Sequence, residues 1–173
     1  IHVIMWHETF LCDDVVESSF AQFPEVELVS HVYWKSESYQ NSDEVIRNVN
    51  EFILHDSTFI EMFDIRPIEG SSSFLHNPQE MAVSDQFARQ MWGDESPLGK
   101  ELKNAESVRT VTAVFKDWGE HTNFPMDIMS IYPSEGYDKR TLSAVCVMRL
   151  YPSASADTVL AKLQNMMMRD GEP

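Results

Sequence analysis

The sequence predicts an α+β fold, a mixed sheet with packed helices, from three observations. Short β-branched and aromatic stretches alternate with period two, amphipathic stretches are bounded by Ser or Asp at the start and Gly at the end, and a nearly continuous apolar run lies near the C-terminal end. Strand and helix signals alternate at both ends of the chain and mix in the middle, and no internal repeat is found. With 173 residues, 43% of them hydrophobic and 11% aromatic, the chain has the bulk for one folded unit, with room for two lobes, and is not disordered.

The elements follow in order. Ile1 to Trp6 (IHVIMW) reads as a strand, with a turn at Cys12 to Asp14, after which Asp13 or Asp14 caps a short helix carrying Val16, Phe20 and Phe23 and stopped by Pro24. Val26, Leu28, Val32 and Trp34 alternate with Glu27, His31, Tyr33 and Lys35, the pattern of a half-buried strand. Ser36 to Asp43 (SESYQNSD) is polar and reads as a surface loop. Glu44 to Leu54 is extended, and Asp56 caps a helix with Phe59, Ile60 and Phe63 on one face, broken at Gly70. Ser71 to Pro78 reads as a loop and Met81 to Val83 as a short strand. Ser84 caps a helix burying Phe87, Ala88, Met91 and Trp92 and closed by Gly93. Val108 to Phe115 suits a strand, whereas His121 to Tyr132 shows no period and reads as irregular. Ser143 to Tyr151 predicts a central strand covered on both faces. A last helix is capped by Ser155, carries Ala156, Val159, Leu160, Leu163 and Met167 on one face, and meets Gly171.

Thirteen basic residues against twenty-eight acidic ones give a formal charge of −15, which repels phosphate backbones and excludes nucleic acid as a partner. No apolar run reaches the roughly 20 residues that span a bilayer. The chain opens at Ile1 with no signal-peptide pattern, so it is expected to be an excised segment whose targeting information lies elsewhere. Cys12 and Cys146 fit no zinc knuckle or redox pair, and whether they bridge stays open.

No catalytic, cofactor or metal constellation is expected. Gly93 to Lys100 (GDESPLGK) departs from a phosphate loop: its glycines are one residue too far apart, Glu101 replaces the magnesium-binding hydroxyl, and Asp94 and Glu95 repel phosphate. His7-Glu8 lacks the second histidine of a zinc-protease helix, since Leu11 stands four residues on. The other histidines, His2, His31, His55, His76 and His121, are scattered singly. Asp56, Glu61, Asp64 and Glu69 read as the wet face of a capped helix, and Ser71 to Ser73 lacks a nucleophile elbow. Met166, Met167 and Met168 suit core packing. Tyr33, Trp34 and Tyr39, at a strand end and in its loop, are the candidate exposed partner contacts.

One stretch joins several cues in order. His55 to Phe59 (HDSTF), Met62-Phe63-Asp64 and Ile68-Glu69-Gly70 give a polar cap, spaced aromatics and a Gly turn. Ala82-Val83-Ser84, Phe87-Ala88 and Trp92 to Lys100 (WGDESPLGK) follow, then Thr110 to Asp117 (TVTAVFKD) and Asn123 to Asp127 (NFPMD). This set resembles the MacB-like periplasmic core domain of FtsX/MacB-type ABC transporter permeases. Phe23 to Glu27 is similar to that family's first helix-to-strand junction and Val147 to Leu163 to its closing strand and helix, while the first residues and Ser36 to Asn48 match nothing firmly.

The resemblance implies a single extracytoplasmic domain over residues 1–173. A porter-like lobe would come from both chain ends, approximately 1–48 and 118–173, and a second β-rich lobe from approximately 49–117. It implies a non-enzymatic domain at the periplasmic face of the cytoplasmic membrane, tethered by transmembrane helices outside this chain. Its conformational changes would couple ATP hydrolysis to export or to mechanical signalling. The partners implied are the parent permease helices, a second permease half, a cytoplasmic ABC ATPase acting through the membrane, and an extracytoplasmic adaptor or regulated protein. The alternatives are a free-standing extracytoplasmic ligand-binding module and a soluble hydrolase.

Overall fold

Nine strands of one mixed sheet dominate the computed structural model, which describes residues 2–8, 20–119, 125–132 and 143–170. They are β1 (His2–Glu8), β2 (Val26–Gln40), β3 (Ile46–Leu54), β4 (Pro67–Gly70), β5 (Glu80–Ser84), β6 (Glu101–Lys103), β7 (Val108–Phe115), β8 (Ile128–Ile131) and β9 (Ser143–Leu150). Helices α1 (Thr58–Phe63), α2 (Asp85–Trp92) and α3 (Ala156–Asp170) and a 3-10 turn (Ser72–Leu75) accompany them. The chain is α+β, as its periodicity predicts.

The strand order is β1-β9-β2-β3-β8-β5-β7-β4. Pairing is antiparallel except between β3 and β8 and between β5 and β7, which run parallel. Off this path, β6 pairs with β7 on one side and with β2 on the other. Strands β2, β3, β8, β5, β7 and β6 therefore close into a ring, and the β2–β6 join consists of one residue pair, Gln40 with Lys103.

Three expectations are corrected here. The polar stretch from Ser36 is not a loop up to Asp43, because β2 continues to Gln40 and its last five residues pair one by one with Asn50 back to Ile46. The ladder satisfies the backbone there while Ser36 and Ser38 face water. Nor is β2 half-buried: Ser30 to Tyr33 are buried in succession, since the strand lies between β9 and β3 with an apolar cluster on each face. Ile128–Ile131, inside the stretch expected to be irregular, is strand β8. It sits between β3 and β5, held by Asp127, whose carboxylate accepts from Asn50 N at 2.8 Å and whose own N–H donates to Asn50 O at 3.0 Å.

Other elements follow their sequence signals. Ser84 caps α2, its hydroxyl accepting from Phe87 N at 3.1 Å, and Gly93 ends it at φ 64°. The expected cap of α1 is corrected: Ser57, not Asp56, is its N-cap, with the Asp56 carboxylate accepting from Thr58 N at 2.7 Å beside it, and the helix stops at Asp64, in the left-handed region at φ 48°, well before Gly70. Three apolar clusters result. One gathers α1's Phe59 and Met62 with Val32, Phe52 and Phe115, and a second gathers α3's Val159 and Leu163 with Phe20, Val29 and Met148. The third joins α2's Phe87, Met91 and Trp92 to Tyr39, Val49, Leu102 and Val111. Cys146 is buried in the second cluster, and Met166 packs against it. The turn at Cys12 to Asp14, the helix cap at Asp13 or Asp14, and Gly171 lie outside the described residues, as do the side chains of Met167 and Met168.

Gly70 ends β4 at φ 80°, and a Cβ there would lie 2.1 Å from Thr112 O, a backbone atom that cannot yield without breaking the β4–β7 pairing. Gly70→Ala is expected to lose at least about 2 kcal/mol of stability. Urea unfolding of the variant beside the parent chain measures this, and equal midpoints contradict it.

Candidate functional site

Inside the ring lies a cluster of charged and polar side chains drawn from five places in the sequence. Glu51 of β3 is fully buried, and its Oε1 accepts from Arg109 Nη1 and from Ser130 Oγ, each at 2.6 Å. Its Oε2 accepts from the Tyr39 hydroxyl at 2.7 Å and faces Lys35 Nζ at 3.4 Å. The same hydroxyl accepts from Arg109 Nη2 and, at 3.2 Å, from Asn104 Nδ2 in the β6–β7 turn. The Arg109 guanidinium also lies over the Tyr39 ring, 5.6 Å from its centre. Strands β2, β3, β7 and β8 and the β6–β7 turn thus meet at one carboxylate and one phenol.

The charge states follow from these contacts. Burial pushes the Glu51 carboxyl up, but the Arg109 charge and hydrogen bond, with Lys35 and Ser130, outweigh it and hold the group below the usual carboxylate range. Burial first and the Glu51 charge second push the Tyr39 phenol far above its ordinary value, so it stays protonated and donates. With both Glu51 oxygens engaged and the phenol locked as a donor, the arrangement suits a mechanical tie between strands better than proton transfer. Sequence reasoning singled out neither Glu51 nor Arg109. The available signal was parity: Glu51 shares its strand face with the apolar Val49 and Ile53, and Arg109 shares its face with Val111.

Of the three candidate contact aromatics, Tyr33 and Tyr39 are buried, which corrects the expectation that they are exposed. Tyr33 packs with Tyr132, ring centres 5.1 Å apart, and Tyr39 belongs to the charge cluster. Tyr33 is buried where β2 is covered on both faces, and Tyr39 because it lies on the face of β2 opposite the exposed Ser36 and Ser38, in the third cluster. Trp34 is half-buried on the opposite face from Tyr33, in the cluster around α1.

A second feature surrounds the GDESPLGK stretch. Its Gly99 and Lys100 amides donate to Val111 O at 2.8 Å and Pro97 O at 3.0 Å, so this turn's backbone is engaged with its own chain. Lys100 pairs with Glu95 and stands over the Trp92 ring at 5.8 Å. Next to it an open groove of about 350 Å³ is lined in part by Ile68, Glu69, Asp85, Arg89, Asp94 and Pro97. Asp85, at the start of α2, accepts from Asp117 N at 2.9 Å and Lys116 Nζ at 2.7 Å. Burial opposes its ionisation, yet the Lys116 hydrogen bond and the Asp117 amide hold its carboxyl below the ordinary value. Asp56, Glu61, Asp64 and Glu69 are all exposed, but of the four only Glu61 lies within α1: Asp56 precedes it, Asp64 ends it and Glu69 stands in β4. Among the histidines, His31 is buried, His55 and His76 are exposed, and His2, His7 and His121 lie outside the described side chains.

Comparison with known proteins places the fold. No protein-family model matches the chain, and no curated protein matches it in sequence. Among solved structures, the chain is similar to the extracellular domain of the noncanonic ABC-type transporter YknZ from Gram-positive bacteria, with a TM-score of 0.69 and 13% identity over 99% of this chain and 96% of that one. It is similar to the periplasmic region of MacB from Actinobacillus actinomycetemcomitans, with a TM-score of 0.66 and 10% identity over 91% of this chain and 74% of that one. A domain assigned to a permease protein of Porphyromonas gingivalis gives a TM-score of 0.66 and 23% identity over 88% of this chain and 68% of that one. At these identities the likeness is one of fold: the chain has the fold of MacB-like extracytoplasmic permease domains.

The lowered Glu51 carboxyl carries a pH prediction. A depressed folded-state value contributes stability that is fully present above the ordinary glutamate range and is lost as pH falls through the folded value. Glu51→Gln removes the buried charge that Arg109 Nη1 meets at 2.6 Å and Lys35 Nζ at 3.4 Å and is expected to cost about 3 kcal/mol at neutral pH. The gap between variant and parent narrows on acidification. Urea midpoints across pH 3 to 7 test this, and a gap that is constant or widens in acid contradicts it.

Proposed function

We propose that this chain, having the fold of MacB-like extracytoplasmic domains, is the extracytoplasmic domain of an ABC transporter permease. In this reading it couples ATP hydrolysis by a cytoplasmic partner to export or to mechanical signalling through rigid-body movement and partner contacts. The observation that carries the proposal is the match to the YknZ extracellular domain, which spans nearly the whole of both chains. Among the described residues no helix is long and apolar enough to cross a membrane.

The proposed division of the chain into two lobes has support in the clusters. The one around α3 gathers residues from both chain ends, Phe20, Val26, Leu150 and Val159, and suits a part connected to membrane helices. The one around α2 draws mainly on the middle, through Met81, Phe87, Leu102 and Val111, and suits a part that reaches a partner. The proposed partners remain the parent permease helices, a second permease half, the cytoplasmic ATPase and an extracytoplasmic adaptor or regulated protein. No chemistry on the domain itself is proposed.

Three outcomes are expected for the full-length gene product. Its reading frame carries an apolar segment of about 20 residues on each side of this chain. Cysteines introduced at the exposed positions Glu106 and Ser153 react with a membrane-impermeant maleimide on intact cells. Their labelling rates change when the co-purified ATPase is trapped with ATP. A frame without flanking spans, or labelling only after lysis, overturns the placement. Labelling that ignores the nucleotide overturns the coupling while leaving the placement standing.

A further inference from the structure

The ring of six strands is unevenly closed. On the β2–β3 side the register runs through nine pairs from Val32–Leu54 to Gln40–Ile46, whereas β6 meets β2 only at Gln40–Lys103. β6 is itself three residues long, and beyond it Asn104 folds the chain back to β7. The Asn104 Oδ1 accepts from Glu106 N at 3.0 Å and Ser107 N at 2.7 Å, and Ser107 O accepts from Asn104 N at 3.0 Å. Glu101, Lys103, Ala105 and Glu106 are exposed, while Leu102 is fully buried against the third cluster. The segment Glu101 to Ser107 is thus a strap laid across the ring's join, paired with β7 at Glu101–Thr110, Leu102–Arg109 and Lys103–Val108 and anchored in the third cluster by Leu102.

Toward β7 the segment has three ladder pairs, but toward β2 it has a single main-chain pair, a weak hold, and the further polar link among the described residues runs through Tyr39. Its hydroxyl accepts from Asn104 Nδ2 at 3.2 Å on the strap side and donates to Glu51 on the ring side. Tyr39 is fully buried one residue before Gln40, the strap's only ladder partner on β2. The hydroxyl therefore ties the strap to the buried charge cluster, and the cluster's Glu51–Arg109 pair, closed directly at 2.6 Å, does not need the strap to persist.

We infer that the Glu101 to Ser107 strap is a built-in opening element of the fold, latched by the Tyr39 hydroxyl. It lifts from β2 and unpairs from β7 while β3, β5, β7 and β8 stay paired with one another, breaking the ring and uncovering Leu102 and the charge cluster. This is a sub-global opening of the kind drawn from regions with few buried anchors. It concerns the domain alone, so it stands or falls independently of the permease reading.

Residue-resolved hydrogen exchange tests it on this chain. In the parent, amides of Glu101 to Ser107 are expected to exchange at least about tenfold faster than those of β5. Tyr39→Phe, which keeps the ring and removes the hydroxyl, is expected to accelerate the strap about another tenfold. The equally exposed edge strand β4 and the core strand β5 keep their rates. General loosening would instead speed β4 and β5 together with the strap, and that result overturns the latch. A strap that exchanges as slowly as β5 in the parent overturns the opening itself, which decides the matter even if the variant folds poorly.

Discussion

One buried carboxylate sets the terms for the rest of this fold. Glu51 stands in the apolar interior, where an ion without partners costs several kcal/mol. The cost is offset because Arg109, Ser130, Tyr39 and Lys35 converge on it from β7, β8 and β2. For all four to arrive, β3 must pair with β8 in the observed register, β2 must extend to Tyr39, and β7 must present the face that bears Arg109. A shift of one residue in any of these strands turns a charged partner to the opposite face and leaves the carboxylate unpaired. The cluster therefore acts as a register check on the ring, added to the non-specific drive of the apolar clusters around it.

Legibility in the sequence follows how local each determinant is. α2 was readable because its signals lie within ten residues: a Ser cap, apolar positions at helical spacing and a closing Gly. β7 and β9 were readable because β-branched and apolar runs of eight residues allow little else. The end of β2 was not, since SESYQ is polar and its strand state is imposed by β3 across a turn that Asn41 organises. β8 is four residues long in a Pro-containing stretch, and β6 and β4 are too short to show a period, so pairing partners distant in sequence determine them. The ion cluster was hidden for a related reason: a Glu and an Arg 58 residues apart look like ordinary solvated charges until the topology brings them together.

The same distinction separates scaffold from function. The ordered motif set from Asp56 to Lys116 led to the fold through the way the middle of the chain is built: a docked aromatic helix, a capped helix, a shaped turn and a sheet strand. None of those pieces holds the ion cluster by itself. Its members come from β2, β3, β8 and the β6–β7 region, which couples the motif-bearing middle to strands near both ends. A domain proposed to pass movement from membrane helices to a distant partner needs such a stiff connection, and a buried ion pair tying β3 to β7 across the ring supplies it.

The measurement closest to this account is a double-mutant cycle between Glu51→Gln and Arg109→Met, read by urea unfolding at neutral pH. If the pair ties the ring together, each single variant is strongly destabilised and the double variant is less so than their sum by about 2 kcal/mol or more. Additive losses, with a coupling near zero, would show that the two charges are held by their surroundings independently and that the ring does not depend on their contact.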